Sequence, residues 1–390
     1  MIAFKLAFRN LFGAGLRTLL VVFVLSLAYF LIIFMNGLYQ GWDKQAKIEM
    51  INWEVGQGQY WHDAYDPYDP MTLVDAHAVI PAELEKFAAD GSAVPILITQ
   101  ATIYPEGRMM GIVMKGIDVN QKVLAIPVDM FTDDPETPEA IVGTRLARSA
   151  DLQKGDDMLV RWRDVNGTFD AMEIRIAGIF SSTVPAIDAG QIWVPLAQLQ
   201  KMTGMPDEAT LIVMGSVPNE PGTVSGWKFR DHPFLFKEVE ALIQSKSLGG
   251  SIFYIIILAL ALLAVFDTQV LSIFRRQREI GTYISMGMTR KEVVGIFTVE
   301  GAMHAFLALI AAAAYGIPVM LFFSSRGIGM PEGTDEFGMA AAERIFPYYS
   351  AVLVFGSIIL VMIATTIVSY MPSRKISKMN PNDAIRGKIQ

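Results

Sequence analysis

Residues 251–274 read SIFYIIILALALLAVFDTQVLSIF, and residues 275–282 continue RRQREIGT. The first stretch carries one charge in its whole length, Asp267, and ends abruptly on Arg275, Arg276 and Arg278. A helix needs roughly 20 mostly apolar residues to cross about 30 Å of hydrocarbon, whereas buried helices of soluble cores seldom exceed about 14 uncharged residues. This run therefore reads as a membrane span, and its arginine flank as the cytoplasmic exit. Three further windows have the same character. Thr18–Gly37 and Tyr348–Tyr370 hold no charged residue, and Ala302–Phe323 holds only His304.

Four spans divide the chain. The expected parts are a cytoplasmic amphipathic segment (1–17), a first span (18–37), a large external domain (38–247) and a second span (248–274). A cytoplasmic segment (275–300), a third span (301–323), an external loop (324–346), a fourth span (347–371) and a cytoplasmic tail (372–390) follow. The composition agrees: 52% of the 390 residues are hydrophobic and 18% charged, below the quarter expected of a soluble domain. There is no cysteine, which excludes a disulfide, a thiolate metal site and a cysteine nucleophile. The first apolar run is too long for a signal-peptide core and lacks a cleavage pattern, so it reads as a retained helix. Lys5, Arg9 and Arg17, interleaved with Phe4, Leu6, Ala7, Leu11 and Phe12, suggest a basic helix lying on the inner membrane surface.

Charge gives the orientation. Basic residues gather in the N-terminal segment, in the segment after the second span (Arg275, Arg276, Arg278, Arg290, Lys291) and in the tail (Arg374, Lys375, Lys378, Arg386, Lys388). These parts are expected to be cytoplasmic, both termini included. The loop after the third span is acidic, with Glu332, Asp335, Glu336 and Glu343 against Arg326 and Arg344. Residues 38–247 carry 17 Lys/Arg against 30 Asp/Glu. The net charge of −7 thus conceals a basic inner lip and an acidic outer domain. No basic face outside that lip offers a nucleic-acid site.

The external part reads as an α+β domain. Strand-like runs lie at Val94–Ile98, Gly111–Met114, Met158–Trp162 and Ile174–Phe180. Asn166-Gly167 between the last two is a strong hairpin signal and predicts a two-residue type I′ turn. Helices are expected over Pro81–Asp90, Thr144–Asp151, Leu196–Thr203 and Phe234–Ser245, the last running on into the second span as a stalk. Neither a phosphate-binding G-x-x-x-x-G-K-[ST] loop nor H-E-x-x-H or G-x-S-x-G is present. The four histidines, His62, His77, His232 and His304, show no metal-ligand spacing. Asp63, Asp66 and Asp69 beside His62 form an acidic cluster, and the repeated Tyr-Asp-Pro there reads as turn chemistry.

Three segments together resemble one family. Arg275 to Thr282, then Ser285-Met286-Gly287-Met288-Thr289-Arg290-Lys291, then Val299-Glu300-Gly301, resemble the signature of FtsX-like permeases of ABC transporters. Met371 to Arg386 is similar to that family's ending, and Leu6 to Leu11 with Arg17 to Leu20 to its opening. Gly116-Ile117-Asp118, Ile141-Val142-Gly143, Gly155-Asp156, Gly178-Ile179-Phe180 and Val194-Pro195-Leu196 resemble its MacB-like periplasmic core domain. The length, the missing ATPase and Met35-Asn36-Gly37-Leu38 resemble the lipoprotein-releasing permeases. Where those carry a longer hook, Arg163 to Phe169 forms a short hairpin.

The resemblance implies a transporter subunit of the inner membrane that binds no cofactor or metal itself and uses ATP and magnesium through a separate ABC ATPase, two copies per complex. It implies a second permease copy or paralogue, and a periplasmic carrier or adaptor as further partner. Glu279, Gly281, Ser285, Met286, Gly287, Met288, Thr289, Arg290 and Lys291 would form the ATPase-coupling segment. Such permeases move force rather than solutes, and the implied work is extraction or release of lipoproteins or lipids. Efflux of peptides or small molecules and signalling to external cell-wall hydrolases are the alternatives. Phe30, Ile33 and Phe34 near the outer end of the first span are a possible substrate face. Polar groups in hydrocarbon are costly unless paired, so Asp267 is expected to meet the Glu300–His304 turn across the helices.

Overall fold

The computed structural model describes residues 15–132, 137–182, 185–217, 224–329 and 344–378. The amphipathic segment up to residue 14, the acidic residues of the external loop and the ending from Asn380 to Arg386 lie outside the described residues. The elements in chain order are α1 (Leu16–Met50), β1 (Gln59–His62), β2 (Ala78–Val79), α2 (Ala82–Ala89), β3 (Ala93–Ile103), β4 (Met110–Ile117) and β5 (Glu139–Gly143). They continue with α3 (Thr144–Ser149), β6 (Asp157–Arg163), β7 (Phe169–Phe180), α4 (Pro185–Asp188), β8 (Gln191–Pro195), α5 (Leu196–Thr203) and β9 (Glu208–Ala209). The last are β10 (Leu211–Met214), β11 (Trp227–Arg230), α6 (His232–Leu235), α7 (Lys237–Arg275), α8 (Gln277–Ser285), α9 (Arg290–Arg326) and α10 (Ala351–Ser373).

Contacts divide the chain into a helical unit (Met1–Trp42, Leu242–Ile328, Ile345–Gln390) and a sheet unit (Asp43–Ala241, Gly329–Arg344). Among the described residues, four helices are long and apolar enough to cross a membrane. Three of them well outrun their apolar windows, α9 beginning already at Arg290. The helix begun by the first window continues to Met50, because residues 38–50 hold no proline and Asp43 and Lys47 pair at 3.0 Å one turn apart. Hydropathy reports the solvent a helix prefers, not where the helix stops. The expected Phe234–Ser245 helix is interrupted at Phe236, and α7 then runs unbroken from Lys237. The helical unit packs on small residues. Ala305, Ala308 and Ala312 of α9 meet Leu25, Ala28, Tyr29 and Ile32 of α1, with Ala261 and Val265 of α7 and Val361 of α10. Alanine at that spacing lets helices approach where no hydrophobic effect drives them together.

The sheet unit is built on a nine-stranded sheet ordered β11-β1-β10-β3-β4-β8-β5-β7-β6. Ala101–Ile103 of β3 also pair with Val160–Trp162 of β6, so six strands close into a barrel. Two of its seams, β4–β8 and β5–β7, are parallel. Strand alternation fills the interior: Met158, Val160 and Trp162 of β6 point in and Asp157, Leu159, Arg161 and Arg163 point out. Leu97, Ala101 and Ile103 of β3 join that interior, while Val94, Ile96 and Ile98 face a second core with Trp61, Ile141 and Trp193. The strand runs expected from sequence fall within β3, β4, β6 and β7, and the first three expected helices coincide with α2, α3 and α5.

The hairpin between β6 and β7 is not the two-residue turn that Asn166-Gly167 predicts. Asp164 donates its N–H to Thr168 O at 2.9 Å and Gly167 donates to Asp164 O at 3.0 Å. Only Gly167 has a positive φ, 81°, whereas a type I′ turn needs it at both central residues. The loop is therefore three residues, a type I turn closed by a glycine bulge. The Asp164 carboxylate decides it, accepting the N–H groups of Asn166 and Thr168 at 3.0 and 2.7 Å. The Tyr-Asp-Pro repeat is turn chemistry as expected, with Asp66 and Asp69 accepting from the N–H groups of Tyr68 and Met71.

Candidate functional site

The expected coupling segment forms an elbow within the helical unit. The helix α8 ends in a Schellman arrangement: Met288 N–H reaches Tyr283 O at 3.1 Å and Gly287 N–H reaches Ile284 O at 3.1 Å. Gly287 takes φ 99°, which a side chain would strain. Immediately afterwards α9 opens on a capping box. Thr289 Oγ1 accepts from Glu292 N–H at 3.3 Å, and the Glu292 carboxylate accepts from Thr289 N–H at 2.8 Å. One helix is thus terminated and the next begun within five residues. Gly287 is among the coupling residues expected from sequence, and the Thr289-x-x-Glu292 box is legible once a helix start is sought there.

Beneath the elbow, Ile280 of α8 is fully buried against Val293, Val294 and Phe297 of α9, Ile273 of α7 and Ile376. The side chains above it are exposed: Glu279, Thr282, Ser285, Met286, Thr289, Arg290, Lys291 and Glu292. Met286 stands 68% exposed at the tip. Of the coupling residues named from sequence, Gly281 is buried, Met288 is half-buried and the rest lie on this outer surface. The arrangement offers a firm, mixed-charge knuckle with one apolar projection, a shape suited to seating in another protein's groove.

The charged partner of Glu300 inside the elbow is Arg276. Arg276 donates from Nη1 to both carboxylate oxygens of Glu300, at 3.0 and 2.8 Å, and from Nε to Glu279 at 2.7 Å. Its guanidinium also lies 4.9 Å from the centre of the Phe297 ring. Glu300 is 6% exposed and His304 2%. Asp267 lies on the exposed side of α7, and the Glu300 carboxylate takes its two hydrogen bonds from Arg276. Helix phase explains this: Val265, Gln269 and Ile273 of α7 turn inward at four-residue spacing, which carries Asp267 outward. Breaking a buried pair by removing one member costs about 3–5 kcal/mol, since it strands a charge.

A polar seam continues inward from Glu300. Gly301 sits where α9 and α10 cross so closely that a Cβ there would lie 2.2 Å from Ser369 Oγ, 2.4 Å from Ser369 Cβ and 3.0 Å from Gln269 Nε2. Ser369 and Ser373 spend their hydroxyls on carbonyls of their own helix, at 2.7 and 2.8 Å. Gln269 and Ser369 were not singled out from sequence, because only the crossing makes them neighbours.

Phe30, Ile33 and Phe34 are not an open face. Ile33 is 7% exposed. Phe30 stacks on Phe34 at 5.3 Å and meets Tyr315 of α9 at 5.5 Å, while Phe34 meets Phe323 at 5.7 Å. Gly316 leaves the room for Phe30, 3.2 Å from the position of a Cβ. These rings hold α1 to α9, and Phe30 and Phe34 remain half-buried there.

The sheet unit has its own charged centres. Lys115 of β4 pairs with Glu54 at 2.9 Å and lies 5.2 Å over the Trp193 ring. The pair stands at one end of a groove of about 840 Å³ between Tyr65–Val74 and the strands β3, β4 and β6. Arg145 meets Asp188 at 2.7 Å, and burial holds the Asp188 carboxyl above its ordinary pKa although the guanidinium pulls it down.

Residues 251–381 match the family described as FtsX-like permease C-terminal. No curated protein matches the chain. Among solved structures, the extracellular domain of the noncanonic ABC-type transporter YknZ from Gram-positive bacteria is similar over 45% of this chain and 99% of that one. The identity is 11% and the TM-score 0.28, a likeness too slight to carry weight. The matched stretch begins in α7 and takes in α8, α9 and α10, so the elbow, its Arg276–Glu300 pair and the Gly301 crossing all lie within it. Residues 251–381, with the elbow inside them, thus match the FtsX-like permease C-terminal family.

Proposed function

We propose that the chain is the permease subunit of an ABC complex that converts ATP hydrolysis by a separate ATPase into movement of an external domain. The observation that carries this reading is the elbow. It is a braced, outward-facing knuckle inside the FtsX-like stretch, on the side that the Lys/Arg bias assigns to the cytoplasm. The ATPase would seat Met286 and its neighbours Ser285, Thr289, Arg290 and Lys291. Its ATP-driven closure would then displace α8. The helices α1 and α7 stay helical across the residues at which the two units divide, which favours passing that displacement on rather than absorbing it in a loop.

Two ATPase copies and a second permease, identical or paralogous, would complete the complex in the inner membrane. ATP and magnesium belong to the ATPase. The work we assign is extraction of a lipid or lipid-modified protein from the membrane. The three-residue hairpin favours a version that recruits no soluble carrier through it. Efflux of peptides or small molecules and signalling to cell-wall hydrolases are the competing outcomes of one experiment. The full-length chain is co-expressed with candidate ABC ATPases of its source organism, purified in lipid nanodiscs and analysed by native mass spectrometry. Met286→Asp should abolish assembly. Assembly unaffected by Met286→Asp, Arg290→Glu and Lys291→Glu together would refute the docking surface. An acylated protein retained without ATP and released with it would support extraction.

A further inference from the structure

Three arginines follow the second span, and only one turns inward. Arg275 and Arg278 are exposed. Arg276 occupies the non-helical residue between α7 and α8, at φ −106° and ψ 23°. From that hinge its guanidinium reaches three groups at once: the buried Glu300 carboxylate of α9 through two hydrogen bonds, Glu279 of α8, and the face of Phe297 of α9. A residue at that hinge tied to both α8 and α9 fixes the angle between those two helices.

We propose that Arg276 is the positioning residue of the elbow: it locks α8 to α9 so that displacement of the knuckle moves α9 as one body. The inference rests on reading residues 277–291 as the ATPase-docking segment, but the brace itself is testable without an ATPase. Lysine does not replace arginine in this role. An ammonium offers one compact point of charge, whereas the planar guanidinium gives Nη1 to Glu300 and a separate nitrogen, Nε, to Glu279. Without that guanidinium, α8 rests on the apolar packing of Ile280, Tyr283, Ile284 and Met288, and it rocks on them.

The absence of native cysteine makes a clean reporter. Ile280→Cys places a thiol on the fully buried underside of α8. In the full-length chain in nanodiscs, labelling by a membrane-impermeant maleimide should be slow. Adding Arg276→Lys or Glu300→Gln should speed it about ten-fold, because loss of the buried pair makes local opening of α8 easier. Arg275→Lys, in the exposed arginine next door, should leave the rate unchanged. Two variants guard against one that fails to fold. Equal rates in all three variants would overturn the proposal.

A second arm separates positioning from assembly. In the complex with its ATPase, Arg276→Lys should lower kcat for ATP several-fold while KM for ATP stays fixed, because the nucleotide site is intact and only its mechanical partner is loose. Loss of the complex altogether would mark Arg276 as merely structural and overturn the positioning role. Failure of the unsubstituted chain to bind any ATPase would sink the docking reading alone, and the maleimide rates would still decide the brace.

Discussion

A methyl group at Gly301 is the sharpest perturbation the helical unit offers. In an ordinary helix, Gly→Ala gains about 1 kcal/mol of propensity. Here the added Cβ would stand 2.4 Å from Ser369 Cβ and 2.2 Å from Ser369 Oγ. The hydroxyl can rotate away, but the Cβ is anchored to the backbone of α10. Ordinary van der Waals contact begins at 3.4 Å, so the helices must part by about 1 Å at the crossing. Overpacking of that kind costs about 1–3 kcal/mol. The clash therefore wins over propensity, and Gly301→Ala should destabilise the full-length chain by about 1–2 kcal/mol. The assay is far-UV circular dichroism during SDS titration from mixed micelles. Gly295→Ala on the same helix is the control: its Cβ meets nothing within 4 Å, and it should be neutral or stabilising. Ser369→Gly should rescue Gly301→Ala, because it removes both offending atoms. Ser369→Ala should rescue poorly, because the Cβ remains. Equal rescue by the two, or a Gly301→Ala chain as stable as the parent, would refute the reasoning.

Gly287→Ala should cost about 1 kcal/mol through its φ of 99° and raise maleimide labelling at Ile280→Cys, with ATPase assembly weakened in parallel. Gly167→Ala should destabilise the β6–β7 hairpin, since φ is 81° and its Cβ would stand 2.7 Å from Arg163 Nη2; hydrogen exchange should quicken at the tip and not at β3. Asp188 gives a pH dependence of defined sign. Its folded pKa is raised, mainly by burial, so the folded form binds the proton more tightly than the unfolded chain. The stabilisation is full below the unfolded value, near 4, and is lost as pH rises through the folded one. Tryptophan fluorescence follows the sheet unit, because Trp42 is the one tryptophan outside it. Asp188→Asn should remove that stretch of the unfolding profile; an unchanged profile would show that Asp188 does not titrate there.

The four apolar helices were legible because a 20-residue uncharged run needs only composition to be recognised. Their ends were not. Lys237–Lys246 and Leu38–Met50 are helical and polar, and their helicity comes from neighbours such as the Asp43–Lys47 and Lys47–Glu240 pairs, at 3.0 and 2.5 Å. In the sheet unit β6 was legible, since Met158, Val160 and Trp162 alternate with polar residues. Closure of the barrel was not, because nothing in β3 announces that Ala101–Ile103 will pair with Val160–Trp162 some 60 residues on. The hairpin was placed correctly and typed wrongly, for Asp164 outbids the preference that Asn-Gly shows when it stands alone. The candidate site divides the same way. Gly287 and the exposed row were readable as a pattern, but Arg275, Arg276 and Arg278 look alike in sequence, and only the 24-residue return to Glu300 distinguishes the middle one.

That distinction bears on how the elbow can work. A Schellman stop and a capping box placed within five residues fix two helix ends but leave the angle between the helices to the short turn that joins them. Apolar contacts at Ile280 are non-directional and resist sliding poorly. A charged hydrogen-bonded pair is directional, and in a buried setting it has few alternative partners. Arg276–Glu300 thus supplies the term that the caps and the core lack. It also stands one residue from Gly301, where α9 and α10 touch backbone to side chain with no slack. A displacement handed to α9 at Glu300 therefore meets α10 within the next residue. The brace and the tight crossing act as one joint, and the double variant Glu300→Gln with Gly301→Ala should be non-additive in SDS unfolding, by more than the roughly 0.5 kcal/mol at which independent sites add.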